Sequence, residues 1–186
     1  MSNTADLDAG VFSSWLEEMQ GALRGDHGAD VPCGECTACC TSSQFIHIAP
    51  DETDTLAHIP RALLFPAPHM PRGHVLMGYD EHGRCPMLIE NRCSIYAHRP
   101  RTCRTYDCRV FAAAGLEPAD DKPLIAVQVR RWRFRHPTER DRVLHEAVTA
   151  AAADRDDPSA DGPDSANATR RAIHAVETCD ADGVPR

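Results

Sequence analysis

Eight cysteines in two groups constrain this 186-residue chain more than any other feature. The first group, Cys33-Gly34-Glu35-Cys36-Thr37-Ala38-Cys39-Cys40, is a C-x2-C-x2-C-C run, and the second comprises Cys85, Cys93, Cys103 and Cys108. A two-residue spacer lets a tight turn aim two thiolates at one ion while backbone N–H groups point at the sulfurs, which is why it recurs in zinc and iron–sulfur sites. Purely apolar packing does not account for eight cysteines so spaced. A disulfide framework is disfavoured too. Adjacent Cys39 and Cys40 fit ordinary bridging geometry poorly, and the opening Met1-Ser2-Asn3-Thr4-Ala5-Asp6 lacks the basic patch and apolar run of an export signal. Cys33, Cys36, Cys39, Cys40, Cys85, Cys93, Cys103 and Cys108 are therefore the candidate metal ligands. Eight thiolates suffice for two four-cysteine zinc sites, or for one [4Fe–4S] cluster with thiols left over. The ninth cysteine, Cys179, reads as an exposed spare thiol in an acidic tail.

Composition strengthens the argument. Five Phe, three Tyr and two Trp supply few large anchors for a core, so something besides apolar burial is expected to hold the fold. Acidic residues outnumber basic ones, 28 to 20. The bases nevertheless cluster around the second cysteine group, with Arg84, Arg92, Arg99, Arg101, Arg104 and Arg109 beside it. Cations there would lower thiol pKa values and offset the charge of about −2 that a Zn(Cys)4 or oxidised [4Fe–4S](Cys)4 centre carries. Glu35 and Asp107 stand close enough in sequence to pair with some of them. No window reaches the roughly 18 uninterrupted apolar residues of a spanning helix, so the expectation is a soluble, cytoplasmic protein with no membrane partner.

The residues also carry a resemblance. The C-x2-C-x2-C-C run is followed by Cys85-Pro86-Met87-Leu88, then by Cys93-Ser94-Ile95-Tyr96, Arg99-Pro100 and Cys103-Arg104-Thr105-Tyr106-Asp107-Cys108. This pattern resembles the YkgJ-type cysteine-cluster family, described as a zinc- or iron-chelating domain. The likeness spans roughly Cys33 to Cys108 and implies that all eight cysteines belong to the metal-binding signature. A related cysteine-rich segment occurs in a flagellin lysine N-methylase, where an iron–sulfur cluster is implied, but no extra catalytic domain is recognisable here. The cofactor implied is an iron–sulfur cluster or zinc, held either by a modifying enzyme or by a structural interaction module without catalysis.

The fold expected is α+β: a small, irregular, cysteine-clustered domain organised by metal, with flanking helices and a short hairpin. It should occupy residues 1–153, followed by an acidic, disordered tail over 154–186. Val11, Trp15, Leu16, Met19 and Leu23 fall on one face of a helix over Asp6 to Leu23, stopped by Gly25. A short strand is expected at Gln44 to Ile48, a helix at Asp51 to Ile59, and an extended loop through the four prolines of Pro60 to Arg72. His74 to Tyr79 and Arg84 to Ile89 should pair as a hairpin about Asp80-Glu81-His82-Gly83, delivering Cys85 on the return strand. One helical turn at Ser94 to His98, a longer helix from Pro100 to Gly115, and helices at Leu124 to Phe134 and Pro137 to Asp154 complete the domain. A short helix over Ala168 to Thr178 is conceivable within an otherwise mobile tail.

Other chemistry finds less support. No His pair stands at finger spacing after C-x2-C, and no phosphate loop, dinucleotide turn or nucleophile elbow is present. His82 and His98 are the best candidates for supporting the metal ligands from behind. Arg130-Arg131-Trp132-Arg133-Phe134-Arg135 interleaves bases with aromatics as nucleic-acid sites do. Docked aromatics with solvated arginines explain it better in an acidic chain, so nucleic acid is not the expected partner. A protein partner is left open.

Overall fold

A computed structural model describes residues 5–29, 31, 35–153 and 164–179. The architecture is α+β, with helices and three small separate sheets. The chain divides into two compact units. The terminal unit comes from both ends of the chain, up to Ala29 and from Asp107 onward, and the cysteine unit from residues 30–106.

The terminal unit opens with strand β1 (Leu7–Val11) and helix α1 (Phe12–Arg24). The amphipathic stripe expected from Asp6 thus begins only at Phe12. Gly10 takes φ +94°, outside the helical region, and Leu7 to Val11 pair in parallel with Trp132 to Arg135. Gly25 ends α1 in the left-handed conformation expected of it (φ 86°).

The cysteine unit contains β2 (Ile46–Ile48), α2 (Thr53–His58), β3 (Leu64–Pro66) and β4 (Val75–Met77). The strands form an antiparallel sheet in the order β2-β4-β3. The proline-rich loop therefore includes an edge strand, the one strand position that tolerates Pro66. The hairpin expected on either side of residues 80–83 is not formed by these strands, because β4 pairs with β2 and β3 instead. The turn itself exists: the Asp80 carboxylate accepts from the N–H groups of His82 and Arg84, each at 2.9 Å. The actual hairpin is β5 (Leu88–Ile89) with β6 (Arg92–Cys93). Its turn residues Glu90 and Asn91 both have positive φ, 49° and 59°, as a two-residue turn matched to strand twist requires. A 3-10 turn at Tyr96–His98 and helix α3 (Arg101–Thr105) close the unit.

Back in the terminal unit, α4 spans Arg109–Ala114 and ends at Gly115 (φ 64°). The single helix expected over Pro100 to Gly115 is thus two. Tyr106 is extended, and the Asp107 carboxylate takes the Arg109 N–H at 2.8 Å, as a helix-starting aspartate does. Helix α5 (Pro123–Val129) then gives way to strand β7 (Trp132–Arg135), where a continuous helix was expected. Helix α6 (Glu139–Ala153) matches its expectation. Residues 154–163 of the expected tail lie outside the described residues, but the segment after them forms helix α7 (Asp164–Thr178). Ala172, Ala175 and Val176 of α7 are fully buried, and Cys179 beyond it is buried rather than an exposed spare thiol.

Packing in the terminal unit is aromatic and aliphatic. Phe12 stacks on the His145 imidazole (4.2 Å) and meets Phe134 edge-on (5.0 Å), while Trp15, Phe111, Trp132, Leu144 and Val148 are buried. One carboxylate starts two helices. Asp141 accepts from the Thr138 N–H (3.0 Å) and from its hydroxyl, forming a capping box with the Thr138 Oγ1 that takes the Asp141 N–H. Its second oxygen accepts the Ser13 N–H of α1 (3.1 Å). These hydrogen bonds hold the Asp141 carboxyl well below the usual carboxylate range. The aromatic–arginine run expected to dock its rings does so with Trp132, and Arg130, Arg133 and Arg135 pair with Glu117, Asp6 and Asp8.

Candidate metal centre

Three segments of the cysteine unit bring thiols together. Cys39 and Cys40 lie on a 3-10 turn (Cys39–Thr41), held by the Thr41 hydroxyl donating to Thr37 O (2.9 Å) and the Ser42 hydroxyl donating to Ala38 O (2.5 Å). The Cys85 N–H donates to Cys40 O at 2.7 Å, tying the two cysteine groups through backbone. Gly83 makes that approach possible. Its N–H and carbonyl serve the turn and Ser43, with Gly83 O accepting from Ser43 N at 2.9 Å. At φ 73°, an added Cβ would come within 2.4 Å of Ser43 Oγ.

Cys93 arrives on β6, opposite Leu88 of β5. Cys85 and Cys93 both pack against the small core of Ile48, Ile59, Met77, Met87 and Ile95. Cys103 comes from α3, whose placement is fixed by polar contacts. The Thr102 hydroxyl donates to His47 O of β2 (2.7 Å), and the buried Glu52 carboxylate takes the N–H groups of Ala49 (2.9 Å) and Arg101 (2.5 Å). Arg101 itself reaches Asp51 at 2.8 Å.

The thiols feel one another. Burial, followed by the nearness of Cys85, Cys93 and Cys36, pushes the Cys40 thiol up to about 11. Burial, with Cys40, Cys85 and Cys93 close by, pushes Cys103 up to about 12. Cys85 is also raised, by burial first and then by Cys93, against hydrogen bonds from the Met87 and Leu88 N–H groups. Arg99 is the cation that opposes the rise at both Cys40 and Cys103. Its guanidinium lies 3.7 Å from the centre of the Tyr96 ring and donates through Nε to Tyr96 O (3.0 Å). Of the arginines flagged by their position in sequence, Arg99 is the one whose charge acts on Cys40 and Cys103, whereas Arg101 pairs with Asp51 and Arg109 with Asp107.

This geometry sorts the eight candidates. Cys40, Cys85, Cys93 and Cys103 lie together, with Cys36 near Cys40 and Cys39 adjacent to it in the chain. Cys33 lies outside the described residues. Cys108 belongs to the terminal unit, buried, where the Trp132 indole N–H donates to its Sγ at 3.2 Å. Glu35 is exposed, and Asp107 is buried in a network that joins the Arg109 guanidinium (2.8 Å), the Trp15 indole N–H (2.9 Å) and, through Arg109, the carbonyl of Ala9 (3.2 Å).

Cys40, Cys85, Cys93 and Cys103 lie within electrostatic range of one another, with Arg99 acting on Cys40 and Cys103, and thiolates are donors that thiophilic metals take. A family profile described as "CxxCxxCC: Putative zinc- or iron-chelating domain" matches residues 32–124, half of the chain, and takes in all eight cysteines. The chain belongs to the CxxCxxCC family. No curated protein and no solved structure matches it. The CxxCxxCC match covers the cysteine unit from residue 32 and continues past α4 to the start of α5. No helix among the described residues is long and apolar enough to cross a membrane.

The two histidines singled out by sequence go elsewhere. His82 is exposed beside Glu81 (3.5 Å), and His98 bonds Asp54 at 2.7 Å. Sequence reading missed Asp54 and His58, although their spacing of four on a helix places them on one face.

Proposed function

We propose that this CxxCxxCC domain holds a thiolate metal centre on Cys40, Cys85, Cys93 and Cys103, with an iron–sulfur cluster the preferred occupant. The reading rests on one observation: each of these thiols lies close enough to its neighbours for a charge on one to oppose a charge on the next. Without a cation between them, the raised thiols of Cys40, Cys85 and Cys103 stay protonated. A metal replaces those protons and turns mutual repulsion into ligation.

The chain's own residues would tune the centre. Hydrogen bonds from the Met87 and Leu88 N–H groups favour the charged form of Cys85, and Arg99 offsets negative charge at Cys40 and Cys103. An iron–sulfur cluster bound here would supply electron transfer or substrate ligation, and a zinc ion would supply fold stability alone. Adjacent Cys39 and Cys40, with thiols beyond the four needed, favour the cluster. Protein purified without oxygen is expected to be brown, absorbing near about 400 nm, with iron and acid-labile sulfide in equal amounts. Colourless protein with stoichiometric zinc would replace the cluster by a structural zinc centre. A folded, metal-free protein would sink the proposal.

A further inference from the structure

The cysteine unit carries a second group of metal donors without sulfur. Asp54 and His58 stand four residues apart on α2, and His98 closes the 3-10 turn at Tyr96–His98. One ligand atom from each of the three lies within 4.8 Å of the others. His98 Nδ1 is 2.7 Å from Asp54 Oδ2, and His58 Nδ1 is 3.8 Å from Asp54 Oδ1. The two imidazoles lie face to face, with centroids 3.6 Å apart and planes 6° from parallel.

We propose that Asp54, His58 and His98 form a thiolate-free binding site for a divalent transition-metal ion. The hydrogen bond from His98 holds the Asp54 carboxyl below its usual range, keeping the third donor ionised. An ordinary surface ion pair needs only one imidazole. Here His98 from another segment bonds the carboxylate, while His58 Nδ1 bonds the Asp54 backbone carbonyl at 2.8 Å and lies 3.8 Å from the carboxylate.

The donor set decides the class of ion. Imidazole and carboxylate together suit Zn2+, Co2+, Ni2+ or Fe2+, whereas Ca2+ and Mg2+ prefer oxygen donors throughout. Three protein ligands leave positions for water or a small ligand, as in catalytic rather than closed structural sites. Asp54 and His58 are exposed and His98 half-buried, so the ion would exchange with solvent. It would differ in that respect from an ion held by the half-buried thiols.

Cobalt is the probe that separates the two sites, because thiolate ligation gives intense near-ultraviolet charge transfer and nitrogen–oxygen ligation does not. Full-length protein, isolated with its native metal retained and desalted, is titrated with Co2+. The expected result is one further Co2+ per chain with weak visible bands only. His98→Ala and His58→Gln should each weaken binding about 10-fold or more, while native metal content and circular dichroism stay unchanged and His82→Ala has no effect. No additional Co2+, Co2+ with thiolate charge transfer, or binding that survives both His58→Gln and His98→Ala would overturn the site.

Discussion

The two units solve the same problem with different material. In the terminal unit Phe12, Trp15, Phe111 and Trp132 are buried with Leu144, Val148, Ile125 and Val176, and both tryptophans of the chain are there. The cysteine unit has five small aliphatic and thioether side chains at its centre, Ile48, Ile59, Met77, Met87 and Ile95, with Cys85 and Cys93 against them. Four of its five aromatic rings, Phe45, Phe65, Tyr79 and Tyr96, are exposed, and Tyr106 is half-buried. The ten aromatics divide evenly, five to each unit, and the difference lies in their burial rather than their number. One unit is held by apolar burial, and the other, with only small side chains at its centre, is expected to depend on the proposed metal.

Removing the proposed metal should expose that difference most strongly. Structural metal contributes on the order of 10 kcal/mol to small metallodomains. Chelation is expected to abolish the dispersed NMR methyl signals of Ile48 and Met77 while the emission of Trp15 and Trp132 keeps its folded position. Simultaneous loss of both signals would show that the units do not differ in this way. The converse substitution is Leu144→Ala, in the terminal core, which should cost about 2–5 kcal/mol. Thermal melts followed by tryptophan emission should shift down, with metal content unchanged. An unshifted melt would mean that Leu144 is not part of a close-packed core.

How far this division could be read in the sequence depends on the range of the interactions. The cysteine spacing pointed to metal, and Gly25 and Gly115 marked helix ends correctly, because ligand turns and left-handed caps are local. The pairing of Leu7–Val11 with Trp132–Arg135 joins opposite ends of the chain, and no local pattern announces it. Val129 and Trp132 fit a helical period, yet one ends α5 and the other starts β7. Likewise the Cys85 environment was assigned to a hairpin strand, when a turn bonded to Cys40 O supplies it. Asp54 and His58 passed unnoticed because their partner His98 lies forty residues away in a different element.

Smaller effects sharpen the contrast. Gly83→Ala forces an alanine into φ 73° and against Ser43 Oγ, at a cost of about 1–2 kcal/mol. It should loosen the link from Cys85 to Cys40, read as faster transfer of metal to a chelator. Unchanged transfer would remove Gly83 from the account. In the terminal unit, Asp141 is more acidic folded than unfolded. Its contribution is therefore present above its unfolded value of about 3.9 and is lost as pH falls through the lower folded value. Acid denaturation followed by tryptophan emission should become less steep in Asp141→Asn, and an identical acid limb would contradict the double-capping role.

The most direct measurement is metal content per chain, by elemental analysis with sulfide determination, across single cysteine-to-serine variants purified without oxygen. Cys40→Ser, Cys85→Ser, Cys93→Ser and Cys103→Ser should each lose the metal of one shared centre, whereas Cys179→Ser, buried in the terminal unit, should keep it in full. Full occupancy in any two of the first four, or a wild-type chain that is folded and metal-free, would contradict a centre built on those thiols.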